Sequence, residues 1–148
     1  PNATALEADL LDRRIALLHR AARAAGLDRV EAAAAPGPHP LGIVTAGASY
    51  ALLRGALEAL GIDGEVPILR LGLTWPVDAR LVRRFADGVD DVVVMEERSP
   101  HLEDQVRRAL EGRHQAVWGK RLPGRARGFP EASGMAMSRS MSASVLIE

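Results

Sequence analysis

Two adjacent carboxylates, Glu96 and Glu97, close the apolar run DVVVMEE. Neighbouring carboxylates can divide acid and base roles, one holding a proton while the other stays charged. Such chemistry needs a further group, and spacing places no His, Lys or nucleophile beside them. The competing reading is structural: the pair caps the helix that follows and bonds to an arginine. A second cluster is Thr45, Gly47 and Ser49 in LGIVTAGASY, residues 41–50. An apolar run, a glycine turn and a helix start would aim free N–H groups at an anion. Gly42 and Gly47 do not make a phosphate loop, because no Lys-Ser/Thr follows Gly47 and Gly42 lies inside the strand. The dinucleotide pattern G-x-G-x-x-G is absent as well. Anion binding at the Ser49 helix start and plain turn chemistry therefore stand side by side. Thr74, Trp75 and Pro76 follow the apolar stretch VPILRLG. A tryptophan on a loop is a binding platform or an interface anchor. The histidines, His19, His39, His101 and His114, have no i,i+3 or i,i+4 partner among themselves, which argues against a metal site built from them.

Composition narrows the classes. The 148 residues suggest one domain with a tail, and 47% hydrophobic with 26% charged residues is ordinary for a globular protein. Lys+Arg and Asp+Glu are both 19, so no net charge recruits nucleic acid or an acidic membrane. There is no cysteine, which removes disulfides, thiolate metal sites, iron–sulfur ligation and a cysteine nucleophile from this segment and fits a cytoplasmic location. No apolar run approaches the roughly 18 residues of a membrane-spanning helix, and no signal peptide is seen. The chain starts at Pro1 and its last residues stop mid-pattern, as in a piece of something longer.

The elements that position those residues alternate regularly. Thr4 and Glu7 have capping-box spacing, and Leu6, Leu10, Ile15, Leu17 and Leu18 form the stripe of a helix over 5–25, with Asp9 and Arg13 paired at i,i+4. Segment 31–40 carries three prolines within five residues and is expected to be a linker, so that residues 1–40 are a helix and linker, 41–120 the domain and 121–148 an extended arm. Within the domain, strands are expected at 41–46, 66–72, 91–97 and 116–120. Helices are expected at 49–60 with Ser49 as N-cap, at 79–87 with Asp78 as N-cap, and at 100–111 with Ser99 and Pro100 at its start. Leu52, Leu53, Ala56, Leu57 and Leu60 should face inward, and Gly61 should end the first of these helices. This is an open, mostly parallel three-layer α/β/α sheet with 41–46 between 66–72 and 91–96 and the last strand outermost. Beyond the last strand, Arg113, Lys120, Arg121, Arg125 and Arg127 form either a docking arm for an acidic surface or a solvated linker.

At LGIVTAGASYALLRGALEALGI, LRLGLTWPVD, VRRFADGVDDVVVMEE and EDQVRRAL, in that order, the stretch 41–120 resembles the transketolase C-terminal-like domain of thiamine-dependent 2-oxoacid:ferredoxin oxidoreductases, above all the indolepyruvate type. The later VWGKRLPG is similar to the family's GK…G element. The resemblance implies a parent enzyme that oxidatively decarboxylates arylpyruvates or other 2-oxoacids with thiamine diphosphate and magnesium, and passes electrons through iron–sulfur clusters to ferredoxin. The G-D-G…N diphosphate–metal motif and the cluster cysteines of that family have no counterpart in this chain. No catalytic, cofactor-binding or metal residue is therefore carried over.

The expectation is a non-catalytic domain serving packing and assembly with other domains or subunits of a homo- or hetero-oligomer. The rivals are a stand-alone binder of an anion or small molecule in the crevice near Gly47, Trp75 and Glu97, and the C-terminal domain of another transketolase-like enzyme.

Overall fold

The computed structural model describes residues 3–120. The expected arm 121–148, with Arg121, Arg125 and Arg127, lies outside the described residues. Eleven consecutive elements make up the rest: α1 Ala3–Asp9, a π-helical turn Leu10–Arg14, α2 Ile15–Ala24, β1 Arg29–Glu31, β2 His39–Ala46, α3 Ala48–Leu60, β3 Ile68–Leu71, α4 Ala79–Ala86, β4 Val89–Met95, α5 His101–Ala109 and β5 Ala116–Trp118.

The strands form one sheet in the order β1-β3-β2-β4-β5. β3, β2, β4 and β5 are parallel, with Val44 facing Leu69 on one side and Val94 on the other. The order expected for the four parallel strands is the one observed. β2 is central because it is apolar on both faces, and a strand buried on both faces needs neighbours on both edges.

Side chains alternate between two cores. Val44, Leu69, Leu71, Val92, Val94 and Val117 point at Val82 and Phe85 of α4 and Leu102 and Val106 of α5. Ile43, Ile68, Val93, Met95 and Trp118 point at Leu53 and Leu57 of α3. Each fully buried aliphatic side chain of this size stabilises the fold by about 1.5–3 kcal/mol. Helices thus cover both faces, in three layers. Gly42 belongs to this packing rather than to a phosphate loop: a Cβ there would stand 2.8 Å from both Phe85 and Val89. Asp91 fixes the short outer strand, accepting from Ala116 N–H at 3.1 Å and from the Trp118 indole at 3.2 Å.

Several expectations need correction. The segment read as a linker from 31 begins inside an antiparallel edge strand, since β1 pairs Arg29, Val30 and Glu31 with Arg70, Leu69 and Ile68. β1 lacks an apolar alternation, so only its partner reveals it. It covers the outer edge of β3. β2 starts at His39 rather than at 41. Pro40 is tolerated because β3 pairs only residues 43–46, which leaves that side of β2 open at Pro40. β4 ends at Met95, so neither glutamate is in the strand. Leu52 and Leu60 are exposed while Leu53, Ala56 and Leu57 are buried, because one helix can turn only one stripe to the sheet. Gly61 ends α3 in the left-handed conformation as expected.

The N-terminal helix is continuous in direction but widened at Leu10–Arg14. Thr4 lies inside α1 and is not its cap. Asp9 makes the expected i,i+4 ion pair with Arg13 at 3.8 Å and, because residues five apart are stacked in a π turn, a closer one with Arg14 at 2.7 Å. The expected stripe is left largely open: Leu6, Leu10, Leu17 and Leu18 are 40–52% exposed, and Ile15 is half-buried. The last turns dock, through buried Ala22, the Arg23–Asp78 ion pair, and His19 Nε2 at 2.9 Å from the Pro76 carbonyl. Along β1, the Tyr50 hydroxyl donates to Glu31 at 2.7 Å, and this carboxylate holds the phenol pKa above its ordinary value.

Candidate functional site

All seven candidate residues reach the C-terminal ends of the parallel strands, where doubly wound sheets carry their ligands. Gly47, Ser49, Thr74, Glu96 and Glu97 line one crevice with a cavity volume of about 280 Å³, together with His101 and Leu102. Thr45 is buried beneath it, and its hydroxyl donates to the Met95 carbonyl at 2.9 Å, tying β2 to β4. Trp75 does not line the crevice; it stands beside it, 59% exposed.

The turn at the head of α3 works differently from the expected one. Gly47 is the N-cap, at φ 58 and ψ −135, a backbone state closed to side-chain-bearing residues. Ser49 is a helical residue one position past the helix start and buried, so it is not the cap. The apolar-to-glycine pattern located the turn, but the helix is capped at Gly47, two residues before the serine.

At the head of α5 the correction is larger. Neither Ser99 nor Pro100 supplies a side-chain cap. Glu96 does: its two carboxylate oxygens accept from Leu102 N–H at 2.8 Å and Glu103 N–H at 2.9 Å. These are the two donors an N-cap side chain ordinarily satisfies, and the negative charge suits the positive end of the helix dipole. Glu96 is thereby committed to capping, as the structural reading expected, but among the described residues no arginine pairs with it, and Glu97 is left exposed at the rim. His101, the first residue of α5, joins the two glutamates in the crevice lining, which spacing did not foresee.

Trp75 is displayed on a loop fixed from two directions. From α5, Gln105 Nε2 donates to the Thr74 carbonyl at 2.8 Å, and Gln105 Oε1 accepts from Val77 N–H at 2.9 Å. From α2, His19 reaches Pro76. Upstream, Asp28 accepts from Gly72 and Leu73 N–H at 2.9 and 3.0 Å. Asp28 and Gln105 were missed from the sequence; a polar residue that serves a distant backbone leaves no local signature.

The crevice does not fit a diphosphate. It presents two carboxylates and no guanidinium or ammonium group. At 280 Å³ it is also smaller than the roughly 300–1,000 Å³ of ordinary small-molecule sites. Among the described residues no three His, Cys, Asp or Glu side chains come together to hold a metal ion, and no helix is long and apolar enough to cross a membrane.

Residues 30–144 match the indolepyruvate oxidoreductase domain family. The indolepyruvate oxidoreductase subunit IorA of Thermococcus kodakarensis is 42% identical over 67 residues, covering 45% of this chain and 10% of that protein. Its namesake from Pyrococcus horikoshii is 43% identical over 67 residues, with the same shares covered. The chain spans about a tenth of the length of the curated relatives it matches. Among solved structures, a split-gene transketolase in the form of an inactive beta4 tetramer superposes with a TM-score of 0.52 at 20% identity, over 80% of this chain and 40% of that one. That likeness is one of fold.

Proposed function

The chain belongs to the indolepyruvate oxidoreductase domain family, and from that premise we propose that it serves packing and subunit assembly in a thiamine-dependent 2-oxoacid:ferredoxin oxidoreductase of the indolepyruvate type. The parent would decarboxylate 2-oxoacids with thiamine diphosphate and magnesium held elsewhere, and would pass electrons through iron–sulfur clusters to ferredoxin. The sheet and the helices packed on it run from residue 29 to residue 118, and the cytoplasm is the proposed location.

One observation carries the reading: Trp75 is presented in the open on a loop that two side chains, His19 and Gln105, hold in place through three hydrogen bonds to its backbone. A large aromatic side chain fixed before binding loses little freedom on being covered, which is the behaviour of an interface anchor. The neighbouring crevice supports the same reading by its charge, since two carboxylates repel the anion that a stand-alone binder would take.

The test is Trp75→Ala in the parent enzyme. Subunit assembly, measured by sedimentation, should weaken by about 2 kcal/mol or more, with the unfolding profile of the domain unchanged. Unaltered assembly, accompanied by loss of a small-molecule affinity, would transfer the argument to the crevice.

A further inference from the structure

Between the N-terminal helix and the turn that opens α4 runs a second, larger concavity, with a volume of about 690 Å³. Its helix wall is Leu11, Ile15 and Ala16, and its opposite wall is Pro76 and Ala79. Trp75 is the next residue in the chain, so the exposed indole and this apolar trough adjoin along the backbone.

The groove is also basic, in a chain whose formal net charge is zero. Arg20, Arg23 and Arg80 line it with a single carboxylate, Asp78. Three guanidiniums against one carboxylate leave two positive charges. Asp78 is fully occupied, since it accepts from Arg80 and Leu81 N–H at the head of α4 and pairs with Arg23. Arg20, on the helix wall, and Arg80, on the opposite wall, are exposed, and no carboxylate among the described residues pairs with either.

An apolar floor with an uncompensated guanidinium on each bank has a definite complement. We propose that this groove seats an acidic amphipathic segment of a second subunit, with apolar side chains against Leu11 and Ile15 and carboxylates reaching Arg20 and Arg80. Guanidinium–carboxylate pairs at the two rims would fix the segment's register, and the apolar floor would supply the burial. The proposal rests on the assembly reading above and adds to it the chemistry of the partner.

The experiment uses the intact parent enzyme with Ala16→p-benzoylphenylalanine, a photo-crosslinking residue placed on the exposed side of the groove. Mass spectrometry should identify a peptide from another subunit whose apolar stripe is flanked by aspartate or glutamate. Adding Arg20→Glu and Arg80→Glu should lower the yield of that cross-link by about tenfold or more, since like charges would then face each other. The milder pair Arg20→Gln with Arg80→Gln should give an intermediate yield, and serves alone if the reversed pair does not fold. Cross-linking to the same polypeptide, to the same helix of a second copy, or to a basic or uncharged segment would overturn the proposal. So would no cross-link, or a yield indifferent to the arginines. If Trp75→Ala disrupts assembly while these outcomes appear, the assembly reading stands and only the acidic partner falls.

Discussion

Thr74 lines the crevice and Pro76 lines the groove, so a single loop separates two concave regions of opposite character. The crevice sits at the strand ends, where the fold makes a ligand site available. One of its two carboxylates, that of Glu96, is turned inward onto α5. The groove sits where the fold has no customary site. There it is the acidic group that is spent, while Arg20 and Arg80 remain uncommitted. The contrast shows that a favourable place in a fold is only half of a site. The other half is polar groups that the structure has not already used: Glu97 at the crevice rim, and Arg20 and Arg80 on the helix side of Trp75.

The largest effect that would test this contrast is at Asp78. Asp78→Ala removes a buried cap of α4 and the partner of Arg23, and should lower the denaturant-derived stability by about 2 kcal/mol. Asp78→Ser, which keeps a capping oxygen without the charge, should recover about half of that. If both variants match the wild type, the groove wall is not held as described.

The crevice gives a sharper pair. Glu96→Ala should cost about 1–2 kcal/mol by leaving two helix N–H groups without their acceptor, whereas Glu97→Ala should stay within about 0.5 kcal/mol. Equal losses at the two positions would show that the carboxylates share a role and would reopen the crevice as a functional pair.

A smaller loss than at Asp78 belongs to the loop between the regions. Gln105→Ala removes two hydrogen bonds that pin the residues on either side of Trp75, and should cost about 1 kcal/mol. In the parent enzyme the same change should weaken assembly less than Trp75→Ala does, because it loosens the anchor without removing it. Assembly hurt more by Gln105→Ala than by Trp75→Ala would mean that α5, not the indole, makes the contact.

Much of the parallel sheet was legible in the chain. Ile43–Val44, Ile68–Leu69 and Val92–Val94 announce buried strands by composition, and Asp78 and Gly61 mark helix ends by the local chemistry of a carboxylate cap and a left-handed glycine. The order of those strands followed from which run is apolar on both faces. The candidate site was legible as a set, because residues just past parallel strands must gather at one edge. Thr45, Gly47, Ser49, Thr74, Trp75, Glu96 and Glu97 do gather there.

What each of those residues does was decided only in three dimensions. Glu96 reaches back over a turn to cap a helix that its neighbours Ser99 and Pro100 do not cap, and His101 lines the crevice as the first residue of that helix. β1 exists as a strand because β3 offers it an edge, not because Arg29, Val30 and Glu31 have a strand's pattern. The leucines of the N-terminal helix show the same division from the other side. Their spacing dictates an apolar stripe, since 3.6 residues make a turn whatever surrounds them. Whether that stripe meets the sheet, a groove or nothing depends on where the rest of the chain leaves surface to cover. Local sequence sets backbone preference and the period of burial, while the supply of partners for each polar or apolar group is a property of the whole packed chain.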